Sequence, residues 1–303
     1  MNDPKVSVII PVYNGSKTLK QCLGSVLSQT YNNYEIIVVN NNSADDTEAI
    51  IKEFRARSER IKYTFEGYRS RGAARNAGIK MANGEIIAMT DSDCIVPANW
   101  LSELIKPIVS GDEMAVMGSE EDLVENYWAR NIQKANGEFL RRNLNKGYVF
   151  NLDTKNFAIK ASLIKEILFD PGLRSMEDFD LFLRLRDIIK IKFIPTVVVQ
   201  HHHKSSLFPM IALQYDRAYW VAKIFIKHKC VAQDHPMVES LSFRNFIFFP
   251  FWLIHQFFKR PFNEFFFIFV SEVSWRAGIA WALVNPFGNA QFFTRHNPSR
   301  RLL

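Results

Sequence analysis

VSVIIPVYNG, residues 6–15, is an apolar, β-branched run stopped by a Tyr-Asn-Gly turn, and its form recurs three times downstream. YEIIVVNNNS (34–43), IKYTF (61–65) and GEIIAMTDSD (84–93) each read as a short strand that ends in polar residues or runs into a polar loop. The intervening segments carry helical period. Leu19, Leu23, Val26 and Leu27 form an apolar stripe, and 46–57 and 72–81 supply two further crossovers. Strand and helix in alternation predict βαβ units and a parallel sheet. In such sheets ligands sit at the carboxyl ends of the strands, where helix N-termini and loop backbone converge. Four loops are therefore expected to face one site: Pro11-Val12-Tyr13-Asn14-Gly15, 40–46, 67–71 and Asp91-Ser92-Asp93.

Beyond Pro97 the spacing predicts a helix over 99–109 and a strand over 114–118, then a polar, aromatic-bearing stretch over 126–146 read as acceptor-side structure. A second ordered block runs from Asn156 through Glu177-Asp178, a helix over 180–189 and a strand over 192–199 into His201-His202-His203. Helices dominate after Leu207. The end of the chain differs in composition, since 15 of its 26 phenylalanines follow Leu241, with Trp252, Trp275, Trp281 and the cations Lys259, Arg260, Arg276 and Arg295.

At 303 residues and 48% hydrophobic content the chain is large enough for a sizeable α/β core, which excludes disorder as its default. Lys and Arg outnumber Asp and Glu by 38 to 31, favouring anionic partners. That excess is spread along the chain, so no nucleic-acid partner is expected. Cys22, Cys94 and Cys230 lie far apart with no CxxC pairing, so no disulfide framework or zinc site is expected and a reducing compartment fits. The N-terminus shows no charged leader before its first apolar run, and no stretch of about 20 uninterrupted apolar residues appears, so neither export nor a membrane-spanning helix is expected.

Two carboxylates one residue apart at a strand end, Asp91 and Asp93, suit a divalent cation that neutralises charge on a departing diphosphate. His201 and His203 would point to one side if the strand continues, and a histidine ligand favours manganese or a similar ion over a magnesium cage. The plain alternative is a solvated histidine turn. Glu177 and Asp178 sit at a helix N-terminus, where acids often serve only to cap and to complement the helix dipole. If that helix start faces the metal loop, Asp178 can accept the proton of an acceptor hydroxyl. Arg69, Arg71 and Arg75 surround the Gly72 turn that opens a helix, with Asn76 following. Arginines there suit a diphosphate, with Arg75 the strongest candidate and Arg69 the nearest to an ordinary solvated residue.

Taken in order, VSVIIPVYN, EIIVVNNNSADDT, RGAARNAG, GEIIAMTDSDC and SMEDFDLFLRLR followed by VVVQHHHKSS resemble the inverting family 2 glycosyltransferases of GT-A fold, over about Val6 to Ser206. The resemblance implies an EC 2.4 transferase on a Rossmann-like, mostly parallel sheet flanked by helices, to which the composition adds an aromatic-rich helical C-terminal extension. It implies a catalytic domain over 1–206, divided into a nucleotide-sugar half (1–96) and an acceptor and catalytic half (97–206); the helical region 207–303 lies outside the resemblance and is read from its own composition, with membrane association as one of its two readings. Pro11, Tyr13 and the loop of Asn40, Asn41 and Asn42 would hold the nucleotide base, with Asn14, Arg71, Arg75, Asp91 and Ser92 completing the donor site. Asp91 and Asp93 would bind Mn2+ or Mg2+ with His201, or with His203 as its rival. Asp178, with Glu177 beside it, would be the catalytic base.

Asn40 and Asn41 stand where the family carries an acidic pair. An aspartate accepts from the uracil ring N–H, whereas an asparagine both donates and accepts, so either backbone contacts restore uridine specificity or the donor carries another base. The aromatic tail, interrupted by Pro250, His255, Glu272 and Arg276, suits helices lying in a bilayer interface, with the enzyme on the cytosolic face and a glycan or lipid-linked acceptor. The competing reading packs the tail as an ordinary helical subdomain or against a twin subunit. Two other functions are compatible with such a sheet: a catalytically silent nucleotide-sugar-binding scaffold, and a sugar nucleotidyltransferase, for which PVYNGSKTL (11–19) is a poor phosphate loop.

Overall fold

A computed structural model of the chain describes residues 3–123, 126–202, 206–228 and 243–285. Its strands are β1 (Val6–Val12), β2 (Tyr34–Asn40), β3 (Ile61–Phe65), β4 (Ile86–Met89), β5 (Cys94–Ile95), β6 (Ala115–Asp122), β7 (Leu144–Asn145), β8 (Tyr148–Val149), β9 (Phe157–Lys160) and β10 (Ile191–His201). Between and after them lie α1 (Leu19–Leu27), α2 (Thr47–Arg57), α3 (Arg71–Met81), α4 (Trp100–Val109), α5 (Tyr127–Arg142), α6 (Ala161–Ile167), α7 (Glu177–Leu185), α8 (Leu207–Lys227), α9 (Phe243–Ile247), α10 (Phe249–Lys259) and α11 (Phe262–Val284).

All ten strands join one sheet, in the order β3-β2-β1-β4-β9-β6-β10-β8-β7, with β5 paired to β10 off that path. The half from β3 to β4 is parallel, as the alternation predicts. The other half is mixed, because β9 enters antiparallel between β4 and β6. β1, β2 and β4 are buried almost throughout, as strands covered on both faces must be. Leu19, Leu23 and Val26 of α1 are buried, as their spacing requires, and Trp100, Leu101, Leu104, Ile105 and Ile108 of α4 extend the same core. Fully burying each such side chain contributes roughly 1.5–3 kcal/mol.

Two devices aim the far half of the sheet at the site. β5 pairs antiparallel with the end of β10, matching His201 to Cys94, and the His202 N–H donates to the Asp93 carbonyl at 3.1 Å. β10 also breaks register against β6 between Ile194 and Val198, at Pro195, which has no N–H for a ladder. Asn156 fills this irregularity. Its Nδ2 donates to the Ser119 and Val197 carbonyls at 2.8 and 2.9 Å, and its Oδ1 accepts from the Trp100 Nε1–H at 2.8 Å. Gly118 makes room for it, since a Cβ there would lie 2.1 Å from Asn156 Nδ2.

The chain divides into two compact units, 1–125 with 132–203, and 126–131 with 204–303. Within the second, α8 packs on α11, and Gly278 permits their approach: a Cβ there would come within 2.3 Å of the Tyr215 carbonyl. α11 corrects the expectation that no helix is fit to cross a membrane, being long and apolar enough to do so. Of its three charges, Glu264 lies in the first turn and pairs with Arg260, and Glu272 and Arg276, one turn apart, pair with each other, which reduces the cost of holding them in an apolar setting.

A candidate active site at the carboxyl end of the sheet

Arg75 is the buried centre of the site. Ser70 caps α3, accepting from the Ala73 N–H at 3.4 Å while its hydroxyl donates to the Leu173 carbonyl at 3.0 Å. Asn76 exchanges two hydrogen bonds of 2.8 Å with the backbone of Phe169. These stitches tie α3 to the segment leading into α7, so that Arg75, 2% exposed, reaches the first residue of α7. One arm of its guanidinium donates to Glu177 Oε1, the other to Asp91 Oδ1 at 2.9 Å, and the Phe169 ring lies 5.6 Å from its carbon centre. Arg71 opens α3 from an exposed position.

Glu177 is sealed in, whereas Asp178 is half-buried, its Oδ1 accepting from the Phe179 N–H at 2.8 Å. Burial, and then the charges of Glu177 and Asp153, push the Asp178 carboxyl up to about 7, with Arg75 pulling the other way. Glu177 and Asp91 hold the two ion pairs with Arg75.

The pairing of β5 with β10 brings Asp93 against His201, with 3.5 Å between Oδ2 and Nε2. Burial opposes the Asp93 charge, but the His201 bond and then the Lys155 charge hold its carboxyl below the usual range. Ligand atoms of Asp93, Cys94 and His201 lie within 4.8 Å of one another. Burial first, and then Asp91 and Asp93, push the Cys94 thiol far up, so it stays protonated and is a poor ligand. A carboxylate and an imidazole remain, a donor set that fits a divalent cation. Asp91, half-buried like Ser92, turns to Arg75 here. His203 lies outside the described residues.

Three charged residues missed by the sequence reading stand behind this pair. Lys155 is buried, 2.7 Å from both Glu120 and Asp153, and Glu120 lies 3.7 Å from His201 Nδ1. Burial resists the Asp153 charge, but Lys155 holds that carboxyl down to about 2. A charged Asp-Thr-Lys-Asn run directly before a strand, and acids at the end of β6, were the signals available.

The opposite flank is a set of knotted loops. Asn14, in the left-handed region at φ 51°, donates its N–H to Ser43 Oγ at 3.0 Å and accepts from the Ala44 N–H at 2.8 Å. Asn40 accepts from the Ser43 N–H at 3.0 Å. Asn41 and Asn42 donate to carbonyls of the loop after β3. Pro11 is half-buried, and the exposed Tyr13 ring carries the Arg69 guanidinium at 4.9 Å. Asn14, Asn41 and Asn42 thus shape the loops with their own side chains.

This mixed sheet flanked by helices matches glycosyltransferase structures of GT-A fold. The fold resembles the mannosyltransferase PcManGT from Pyrobaculum calidifontis in complex with GDP-Man and Mn2+, with a TM-score of 0.70 at 16% identity over 93% of this chain and 88% of that one. It also resembles Staphylococcus aureus TarS 1-349 in complex with UDP-GlcNAc, with a TM-score of 0.56 at 16% identity over 93% and 92%. The glycosyl transferase family 2 profile matches residues 7–168, and the chain belongs to that family. It is 33% identical over 192 residues to the glycosyltransferase GlyA of Streptococcus pneumoniae serotype 4, covering 56% of this chain and 26% of GlyA. It is 31% identical over 164 residues to GlyG of the same strain, covering 54% of this chain and 48% of GlyG. The match therefore spans half or less of these relatives. An uncharacterized glycosyltransferase of Rickettsia typhi is 28% identical over 249 residues, covering 78% of this chain and 76% of its own length.

Replacing Arg75 leaves Glu177 as a buried charge without its cation. Arg75→Gln is expected to cost on the order of 3 kcal/mol, and Arg75→Lys less, because a lysine keeps the charge, although as a single point it cannot span both acids. Urea unfolding of the three proteins checks this, with equal midpoints as the contrary result.

Proposed function

We propose that the chain transfers a sugar from a nucleotide-diphosphate-sugar to an acceptor hydroxyl with inversion. The observation that carries this reading is the bridge from Arg75 to Asp91 and Glu177, which gathers three of the sequence motifs within reach of Asp178. Asp178 takes the proton of the acceptor hydroxyl as that oxygen attacks the anomeric carbon from the face opposite the diphosphate. The bond from the anomeric carbon to the diphosphate oxygen breaks, and the nucleoside diphosphate leaves with its electron pair. Arg75 stands ready to meet the charge that develops, with Arg71 at the start of the same helix. Asp93 and His201, with Asp91 if it turns from Arg75, would hold Mn2+ in preference to Mg2+, and such an ion supplies Lewis-acid stabilisation of the diphosphate. Pro11, Tyr13, Asn14, Asn40, Asn41, Asn42 and Ser92 complete the donor site.

Asp178→Asn is expected to lower donor turnover by at least a thousandfold while nucleotide affinity stays within about threefold. Asp93→Ala is expected to remove the response of nucleotide binding to manganese. Donor hydrolysis and calorimetric titration read these outcomes. An Asp178→Asn enzyme as active as wild type would sink the base assignment, and donor binding without any turnover would favour the silent scaffold.

We propose further that α10 and α11 contact a membrane from its cytosolic face and that the acceptor is membrane-linked. Phe251, Phe258 and Phe262 are exposed at 69, 82 and 72%, and the last two flank the cations Lys259 and Arg260 in the chain; Val284 at the other end of α11 is exposed at 75%. Rings and cations at headgroup depth bind anionic bilayers, by apolar burial and by charge. The protein is expected to float with vesicles containing phosphatidylglycerol, and Phe258→Glu with Phe251→Glu to weaken flotation by more than tenfold. Equal flotation of wild type and double variant would exclude this contact.

A further inference from the structure

β6 and β10 run parallel, and their register sets Glu120 opposite Val199, two residues before His201. Side chains alternate along a strand, so Glu120 and His201 stand on the same face of the sheet. The His201 imidazole lies between two carboxylates: Asp93 Oδ2 is 3.5 Å from Nε2, and Glu120 Oε2 is 3.7 Å from Nδ1. The two acids are not equivalent. The Asp93 side chain is 40% exposed, whereas that of Glu120 is 17% exposed and is held from behind. Its Oε1 accepts from Asn136 Nδ2 at 2.8 Å, and its Oε2 lies 2.7 Å from the Nζ of the buried Lys155. Asp153, 2.7 Å from that same Nζ, anchors the lysine in turn. A carboxylate restrained at both oxygens is thus kept beside the ring.

An imidazole nitrogen binds a cation only through its lone pair. If Nε2 is to join Asp93 in holding a divalent ion, the ring proton must sit on Nδ1, and a proton there calls for an acceptor. The 3.7 Å separation is longer than a hydrogen bond, and a movement of roughly 0.8 Å brings Oε2 to bonding length. Carboxylates placed behind metal-bound histidines fix the tautomer and the orientation of the ring, and their loss typically costs about 10–100-fold in metal affinity.

We propose that Glu120 is a positioning residue, which accepts the Nδ1–H of His201 and so turns the Nε2 lone pair toward Asp93 and the divalent cation. This rests on the metal reading above and deepens it. Asn136 and Lys155 serve the same end at one remove, since they fix the carboxylate that fixes the ring. The arrangement gives the buried Asp153, Lys155 and Glu120 group a task that neither proton transfer by Asp178 nor the Arg75 bridge requires of it.

The test titrates manganese alone into the full chain by calorimetry and examines the loaded protein by electron spin-echo envelope modulation, which detects a nitrogen bonded to the ion. The wild-type protein is expected to show a bonded nitrogen that His201→Ala removes. Glu120→Gln is expected to weaken manganese binding at least tenfold and to lose most of the nitrogen signal, because an amide donates as well as accepts and no longer dictates which ring nitrogen carries the proton. Wild-type affinity and signal in Glu120→Gln would overturn the inference while leaving the Asp93 and His201 pair standing. So would weakened binding with an undiminished nitrogen signal, since Glu120 would then act by its charge and not through the ring. Should Glu120→Gln fail to fold, Glu120→Asp, which keeps the charge but falls short of Nδ1, is judged by the same two readouts. A wild-type protein that binds no manganese, or binds it without a nitrogen, would overturn the metal reading and this inference with it.

Discussion

A guanidinium buried away from water has to be matched by charge, and Arg75 is matched twice, by Asp91 at the end of the β4 strand and by Glu177 at the start of α7. Desolvating such a cation costs several kcal/mol unless its partners are held in place, and here they are held by elements from three parts of the sequence. The consequence falls on Asp178. Glu177 and Asp91 take the ion pairs, so Asp178 is left in a crowd of negative charge with Arg75 only as a more distant compensator. Burial first, and that negative charge second, push its carboxyl up to about 7, the range that the base proposed above needs at physiological pH.

The second constraint is geometrical. Asp93 and His201 are far apart in sequence and meet because β5 is hydrogen-bonded to the end of β10, which the irregularity at Pro195 re-aims. Asn156 satisfies the carbonyls exposed by that break and ties them to Trp100 in the core, and each buried polar group left without such a partner would cost about 1–3 kcal/mol. The packed half of the sheet thereby determines the position of a histidine at its open end.

The parallel half was legible because its strands are unbroken β-branched runs and its helices carry clean apolar stripes; the predicted β1 and β3 coincide with the observed strands. The mixed half was not. Phe157–Lys160 is a short strand that follows a charged run, and nothing in its pattern says that it enters antiparallel between β4 and β6. The stretch 126–146 hides the helix Tyr127–Arg142, because asparagine, glutamine and glycine dilute its apolar face. At the site, the residues that the sequence singled out by type and spacing include Arg75, Asp91 and Glu177, which the fold joins in ion pairs, and Asp93 and His201, which it sets against each other. Lys155 and Glu120 were not among them, since their meaning comes only from being buried together beside His201. Asn41 was legible as a departure from the family pattern, but the direction of its amide depends on carbonyls about 25 residues later, a distance that no local pattern encodes.

The central claim is that a single half-buried carboxylate, poised by its neighbours, gates the transfer step. The pH dependence of single-turnover donor consumption between pH 5 and 9 tests it most directly. A folded-state carboxyl near 7 is protonated and inactive at low pH, so the rate is predicted to rise tenfold per pH unit below about 7 and to level off above it. A rate that is flat from pH 5 upward, as an unperturbed carboxylate would give, would contradict the account.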